Sequence, residues 1–286
     1  MKCPICSIEM PEKMKLKPNI YECQSCKLKA SLAMVKSGNS LENQNESERQ
    51  KALYNLRMRN YKIIIKNLMN IMTDRDKLSG LEVGCAYGWF LEACCEYSKI
   101  DCVGLEPQKE YFESIAAVPG RIKIINGFFP QDIQNKNEKF DFIVFNDVFE
   151  HIPDVDEIIK YCYASLNKNG ILILNLPLST GVFYKVSELV YKIFNNKKYL
   201  ARLWQFEYVS PHLYYFTKKN LIALCQKNNF KLTKYHKIDV LAKGSVKSRV
   251  ALGDTKINNF VVFLFETLLP ILKFLPEDCG CFYFQK

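Results

Sequence analysis

The chain has 286 residues, 48% of them hydrophobic and 24% charged, an ordinary globular composition that excludes disorder, a collagen-like repeat or a coiled coil as an overall description. The formal charge of +10 is local: between Gly181 and Val250 there are 14 Lys plus Arg against 3 Asp plus Glu, so the rest of the chain is nearly neutral. No uninterrupted apolar run of about eighteen residues occurs, and the chain opens MKCPICSIEM instead of with a basic and then apolar stretch, which argues against a membrane span or a secretory leader.

Cys3-Pro4-Ile5-Cys6 and Cys23-Gln24-Ser25-Cys26 form two C-x-x-C knuckles. Each can present two thiolates to one tetrahedral ion, and the hairpin between them is too short to bury a core of its own. Residues 1–38 are therefore expected to be a zinc ribbon with a structural Zn2+ held by Cys3, Cys6, Cys23 and Cys26; an iron site of the same geometry or a redox dithiol are the alternatives. The other eight of the twelve cysteines are scattered through apolar segments, which fits a reduced, cytoplasmic setting better than a disulfide scaffold.

The polar run SGNSLENQNESER at 37–49 marks a linker or a solvated helix start, and a helical pattern follows at 50–72, so residues 39–75 form a linker and an N-terminal helix. Short apolar runs then alternate with amphipathic stretches. Strands are expected at 80–84, 100–105, 122–126, 140–146 and 170–174, with helices at 89–97, 108–117 and 155–166 between them. A helix at 182–194, a helix at 218–228 and strands at 230–240 and 281–284 complete the pattern.

Leu81-Glu82-Val83-Gly84-Cys85-Ala86-Tyr87-Gly88 ends the first of these strands in a small-residue turn where backbone can approach a ligand. A dinucleotide fingerprint would need Gly where the chain has Ala86 and Trp89, so a pyrophosphate cradle is disfavoured. Glu106 closes the second strand, where a carboxylate can accept both ribose hydroxyls. A nucleoside without a pyrophosphate is implied.

Together with the segment from Phe140 to Ile152 (FDFIVFNDVFEHI) and Pro211-His212-Leu213-Tyr214-Tyr215-Phe216-Thr217, these motifs resemble class I S-adenosylmethionine-dependent methyltransferases, nearest to the ubiquinone-biosynthesis and sugar methyltransferase group. The resemblance implies an α/β Rossmann-like domain over 76–286, a mostly parallel seven-stranded sheet with helices on both faces. It also implies S-adenosylmethionine as cofactor, with Glu82, Gly84, Cys85, Ala86 and Gly88 beside its methionine part, Glu106-Pro107 at the ribose, Gly127-Phe128 at the adenine and Asn146 facing the amino acid moiety. Ala86 stands where the family more often has glycine. In some ubiquinone-pathway relatives a Glu-Val-x-Glu-His motif binds a divalent cation; Asp147, Glu150 and His151 would be the counterparts.

Methyl transfer needs an aligned nucleophile and a group to take its proton. Of three histidines, His151 is the first candidate base and His212 the second, while His236 is expected to be a strand residue without function. The basic, aromatic stretch holding Tyr184, Tyr191, Tyr199, Trp204, Phe206, Tyr208, Tyr214 and Tyr215 reads as a substrate cap, inserted at about 179–217, for a ligand with phosphate and a ring. The expected acceptor is a small-molecule or glycan-type acidic substrate, a nucleotide-linked or lipid-linked sugar. The alternative is an rRNA or tRNA methyltransferase whose ribbon and basic segment bind nucleic acid, and a third reading is a binding module without catalysis. The apolar stretch 260–275 is weighed between packing on the sheet and a peripheral membrane contact.

Overall fold

In the computed structural model, residues 1–34, 42–115, 123–134, 138–241, 267 and 275–286 are described. The sequence pattern becomes two sheets. Strands β1 (Glu12–Met14), β2 (Ile20–Glu22) and β3 (Lys29–Ser31) form the N-terminal antiparallel ribbon. Helix α1 (Glu42–Ile71) follows, and then β4 (Leu78–Val83), α2 (Trp89–Cys95), β5 (Ile100–Glu106), α3 (Lys109–Ser114), β6 (Lys123–Asn126), α4 (Gln131–Gln134), β7 (Phe140–Asn146), α5 (Val155–Ser165) and β8 (Leu166–Pro177). After β8 come α6 (Val182–Phe194), α7 (Lys198–Leu203), β9 (Tyr214–Tyr215), α8 (Lys218–Lys227), β10 (Lys231–Ile238) and β11 (Cys279–Gln285).

The large sheet has the order β10-β11-β8-β7-β4-β5-β6. Strands β4 to β8 run parallel, and β11 is antiparallel to both β8 and β10. All seven residues of β7 are buried, as a parallel strand covered on both faces requires. Their alternation feeds two cores. Ile143 and Phe145 pack with Ile158 and Ile159 of α5 and Leu221 and Leu224 of α8, while Phe142 and Val144 meet Ile64, Ile65 and Leu68 of α1 and Phe90 and Leu91 of α2. The chain winds outward in opposite directions from β4 and β7, so the carboxyl ends of these two neighbours mark the switch point where open α/β sheets bind ligands.

The ribbon is less separate than its sequence suggests. Its third strand pairs with β9, Lys29 opposite Tyr215 and Ala30 opposite Tyr214, making a four-stranded sheet with a strand more than 180 residues further along the chain. Cys3, Cys23, Leu28 and Ala30 lie in the same core as Leu178, Leu213 and Phe216. A second cluster joins Met14, Leu16 and Ile20 of the ribbon to Tyr184, Leu200, Trp204, Phe206 and Tyr215 of the cap. Trp204 and Phe206, members of the aromatic stretch expected to form a substrate cap, are core residues holding cap to ribbon.

Candidate active site

The turn after β4 is shaped by backbone. Gly84 and Gly88 have φ of 72° and 70°, and a Cβ on Gly84 would come within 2.7 Å of a Val148 methyl, so glycine is required there on two counts. Ala86 carries the same left-handed sign at φ 43° and donates its N–H to Glu106 Oε2 at 2.9 Å. The other oxygen of Glu106 accepts from Gln108 N at 2.9 Å. This carboxylate ties the two loops together, and each oxygen keeps a further lone pair for a hydroxyl. Burial raises its pKa.

Beneath the turn, Glu82 is 2% exposed. Its Oε1 accepts from Asn146 Nδ2 at 2.9 Å, whereas Oε2 has no partner, and burial pushes the carboxyl up to about 8. Asn175 in turn donates to Asn146 Oδ1 at 3.2 Å. These groups open on a cavity of about 2090 Å³, roughly twice the upper end of the ~300–1,000 Å³ usual for a single ligand site. Every cofactor residue expected from the sequence lines it: Glu82, Gly84, Cys85, Ala86, Glu106, Pro107, Gly127, Phe128 and Asn146, with one exception. Gly88 does not reach the lining; it caps α2 and packs toward Ile115.

At the opposite wall, Glu150, His151 and His212 bring one ligand atom each within 4.8 Å of one another. The His151 and His212 ring centroids are 4.6 Å apart. His151 Nδ1 lies 2.9 Å from Pro211 O. A carbonyl only accepts, so Nδ1 carries the proton and Nε2 is left as an acceptor. Burial lowers the pKa of His151 and, with the neighbouring His151, lowers that of His212 still further. Both rings are thus neutral near pH 7. Glu150 is 1% exposed, neither of its oxygens has a hydrogen-bond partner, and burial and Asp147 hold its pKa well above the ordinary range.

The cation set expected from the motif is corrected by this geometry. Asp147 turns its carboxylate to Arg57 at 3.1 Å, and the third residue beside Glu150 and His151 is His212. Arg57 is a residue that sequence reading missed; it reaches the cavity from α1, ninety positions before its partner. His236 sits in β10 as expected, with Nδ1 3.3 Å from Asn67 Nδ2.

The charge of the cap is also placed differently from expectation. Among the described residues no lysine lines the cavity, and Arg57 and Arg202 are its only basic side chains besides the two histidines. Tyr184, Tyr199, Tyr208 and Tyr215 do line it.

At the ribbon, the Cys3 and Cys26 sulfurs are 3.6 Å apart, and all four sulfurs fall within 4.8 Å of one another. Tetrahedral ligation at a Zn–S distance of about 2.3 Å needs sulfur separations of about 3.8 Å, so the donor set fits such an ion. The stretch 260–275 is largely outside the described residues.

Residues 54–235 match the family described as Methyltransferase domain. The chain belongs to this methyltransferase family. Among curated proteins it is 31% identical over 108 residues to a ubiquinone biosynthesis O-methyltransferase of Pelagibacter ubique, covering 36% of this chain and 45% of that one. It is 27% identical over 100 residues to a tRNA U34 carboxymethyltransferase of Campylobacter jejuni subsp. doylei, covering 33% of each. The chain thus spans less than half the length of the curated relatives it matches. Among solved structures, the plantazolicin methyltransferase BpumL in complex with a monoazolic desmethylPZN analog and SAH superposes with a TM-score of 0.54 at 12% identity, over 86% of this chain and 90% of that one. At such low identity the likeness concerns fold: the seven-stranded class I S-adenosylmethionine-dependent methyltransferase fold.

Proposed function

We propose that this methyltransferase-family chain moves the methyl group of S-adenosylmethionine onto a hydroxyl of a small-molecule or glycan-type acceptor, a nucleotide-linked or lipid-linked sugar. The observation that carries this reading is His151, a neutral imidazole on the cavity wall whose Nδ1 is fixed by Pro211 O and whose Nε2 is left to accept a proton. An acceptor hydroxyl needs such a base, since its attack on a sulfonium methyl releases a proton.

The cofactor's residues are assigned accordingly. When bound, S-adenosylmethionine supplies an electrophilic methyl group. Glu106 receives the ribose hydroxyls, the turn from Gly84 to Gly88 borders the methionine part, and the unpaired oxygen of Glu82 faces its ammonium. Gly127 and Phe128 border the adenine. The cavity volume leaves room for an acceptor beside the cofactor, and Arg202 with Tyr199 and Tyr208 on the cap side suits a ligand with one anionic group and a ring. A single structural Zn2+ at Cys3, Cys6, Cys23 and Cys26 organises the ribbon, residues 1–38, against the Rossmann-like domain and its cap.

A second reading is a divalent cation held by Glu150, His151 and His212, favoured by the orphaned carboxylate of Glu150. Bound there, it would act as a Lewis acid for the acceptor oxygen. Methyl-labelled S-adenosylmethionine incubated with the protein and an extract of cells lacking its gene tests the substrate class. Label in nucleotide-sugar or lipid fractions supports it, and label in RNA overturns it in favour of nucleic acid. Dependence on added Mg2+ or Mn2+ in the same assay distinguishes the cation from a metal-free base.

A further inference from the structure

Helix α6 is assembled with its apolar side outward. Tyr184, Ser187 and Glu188 are its buried residues, whereas Val186, Leu189, Ile193 and Phe194 are 52%, 54%, 62% and 73% exposed. At about 100° per residue, Val182, Val186, Leu189 and Ile193 fall within an arc of about 60°. This orientation is not loose. Tyr184 packs on Tyr215 at 4.7 Å and under the Lys29 ammonium at 5.2 Å, so the ribbon–cap core clamps the polar face inward and leaves a contiguous apolar stripe without cover among the described residues.

The charge beside the stripe has one sign. Lys185, Lys192, Lys197 and Lys198 are exposed, and the single acid of α6 and α7, Glu188, is buried and satisfied by Lys185 and Lys192 at 3.5 and 3.9 Å. The lysines that the sequence suggested for substrate phosphate face outward beside this stripe, away from the cavity lining. RNA would use the lysines but has no use for exposed Val, Leu, Ile and Phe. A bilayer with anionic headgroups uses both, the apolar residues entering the headgroup–acyl boundary while lysine stems reach the phosphates.

We propose that α6 docks this protein on an anionic phospholipid surface through Val186, Leu189, Ile193 and Phe194, with Lys185, Lys192, Lys197 and Lys198 on the headgroups. Val186, Val190 and Phe194 also line the cavity, so docking sets the cavity mouth against the bilayer. The inference concerns the surface of the helix and does not depend on the identity of the acceptor.

The test is flotation of the full chain with vesicles of phosphatidylglycerol and phosphatidylcholine, compared with phosphatidylcholine alone. Leu189→Asp with Ile193→Asp is the informative variant, because neither residue lines the cavity and both are exposed. Its melting temperature and its affinity for S-adenosylhomocysteine serve as folding controls. Expected are flotation with the anionic vesicles only and at least about tenfold weaker partitioning of the variant. Equal binding to neutral vesicles, no flotation of the wild-type chain, or unchanged flotation of the variant overturns the proposal. A wild-type dimer that the substitutions convert to a monomer overturns it too, since a second copy would then be the cover.

Discussion

Glu106→Gln isolates the ribose assignment in one atom. In the wild-type chain both carboxylate oxygens accept backbone N–H groups, from Ala86 and Gln108, each at 2.9 Å. Glutamine has the same shape but one acceptor only, so its NH2 must face one of these N–H groups, donor against donor. One amide loses its partner, and the hydroxyls of a bound ribose lose a charged acceptor. The loss of one hydrogen bond to a charged group costs about 1.5–3 kcal/mol, which corresponds to about 10- to 150-fold in affinity. Titration calorimetry with S-adenosylhomocysteine reads this directly, below the melting temperature so that the loosened loop does not confound the result. Glu106→Asp keeps the charge but is one methylene shorter, and should fall between wild type and Gln. A dissociation constant for Glu106→Gln within about twofold of wild type would refute the reasoning, since the lost charge–dipole contacts cannot be so cheap.

His151→Ala should reduce turnover by about 10²–10⁴-fold while leaving S-adenosylhomocysteine affinity intact, and full activity in a methyl-transfer assay retires it as the base. Because burial lowers the His151 pKa and the base must be neutral, the rate should be flat through neutrality and fall with an acid-limb midpoint below about 6.5; a midpoint above that value contradicts the assignment. His212 has the same sign in stability. Its folded pKa lies well below the unfolded value, so between the two only the unfolded chain binds the proton, and urea midpoints should drop as pH falls below about 6.5, less so in His212→Asn. Gly84→Ala places a methyl 2.7 Å from Val148 Cγ2 at a φ of 72°; the backbone share of the destabilisation is about 1–2 kcal/mol, and adding Val148→Ala should recover only the steric share in a double-mutant cycle. Elemental analysis should find about one zinc per chain, lost in Cys23→Ser with a thermal midpoint lower by several degrees; protein purified without metal and equally stable rules the ribbon assignment out.

The parts of this fold that were legible are those whose signal is local. Helix α6 matches its expected bounds, and β7 does too, because an unbroken apolar run between polar turns admits few alternatives. Strand β8 runs past both ends of the expected 170–174, to Leu166–Pro177: Leu166 pairs with Phe140 of β7 across an irregularity, and Asn175, Leu176 and Pro177 pair with Cys281, Gly280 and Cys279 of β11, partners in space that propensity alone does not supply. The tight turn after β4 was legible from small residues at a strand end. Arg57 was not, because its role depends on a helix packing ninety residues from Asp147 and leaves no spacing to read. The same holds for the union of His212 with Glu150, and for the direction in which α6 faces. Its amphipathic period was plain, but which side meets the protein is decided by the ribbon, whose contact with Tyr184 and Tyr215 is made in space and not in sequence.

The pairing of β3 with β9 has a consequence for synthesis. Ser31, whose hydroxyl donates to His212 O at 2.9 Å, emerges from the ribosome 181 residues before its partner, a delay of about 9–36 s at ordinary elongation rates of ~5–20 residues per second. Throughout that interval the four thiols stand on a hairpin lacking its fourth strand and its share of the common core. Metal loading can take place while the thiols are still accessible. Once the cap is translated and β9 closes the sheet, Cys3 and Cys23 are buried while Cys6 and Cys26 stay half-buried, so the proposed ion would exchange with the cell through that one side and more slowly than on the open hairpin.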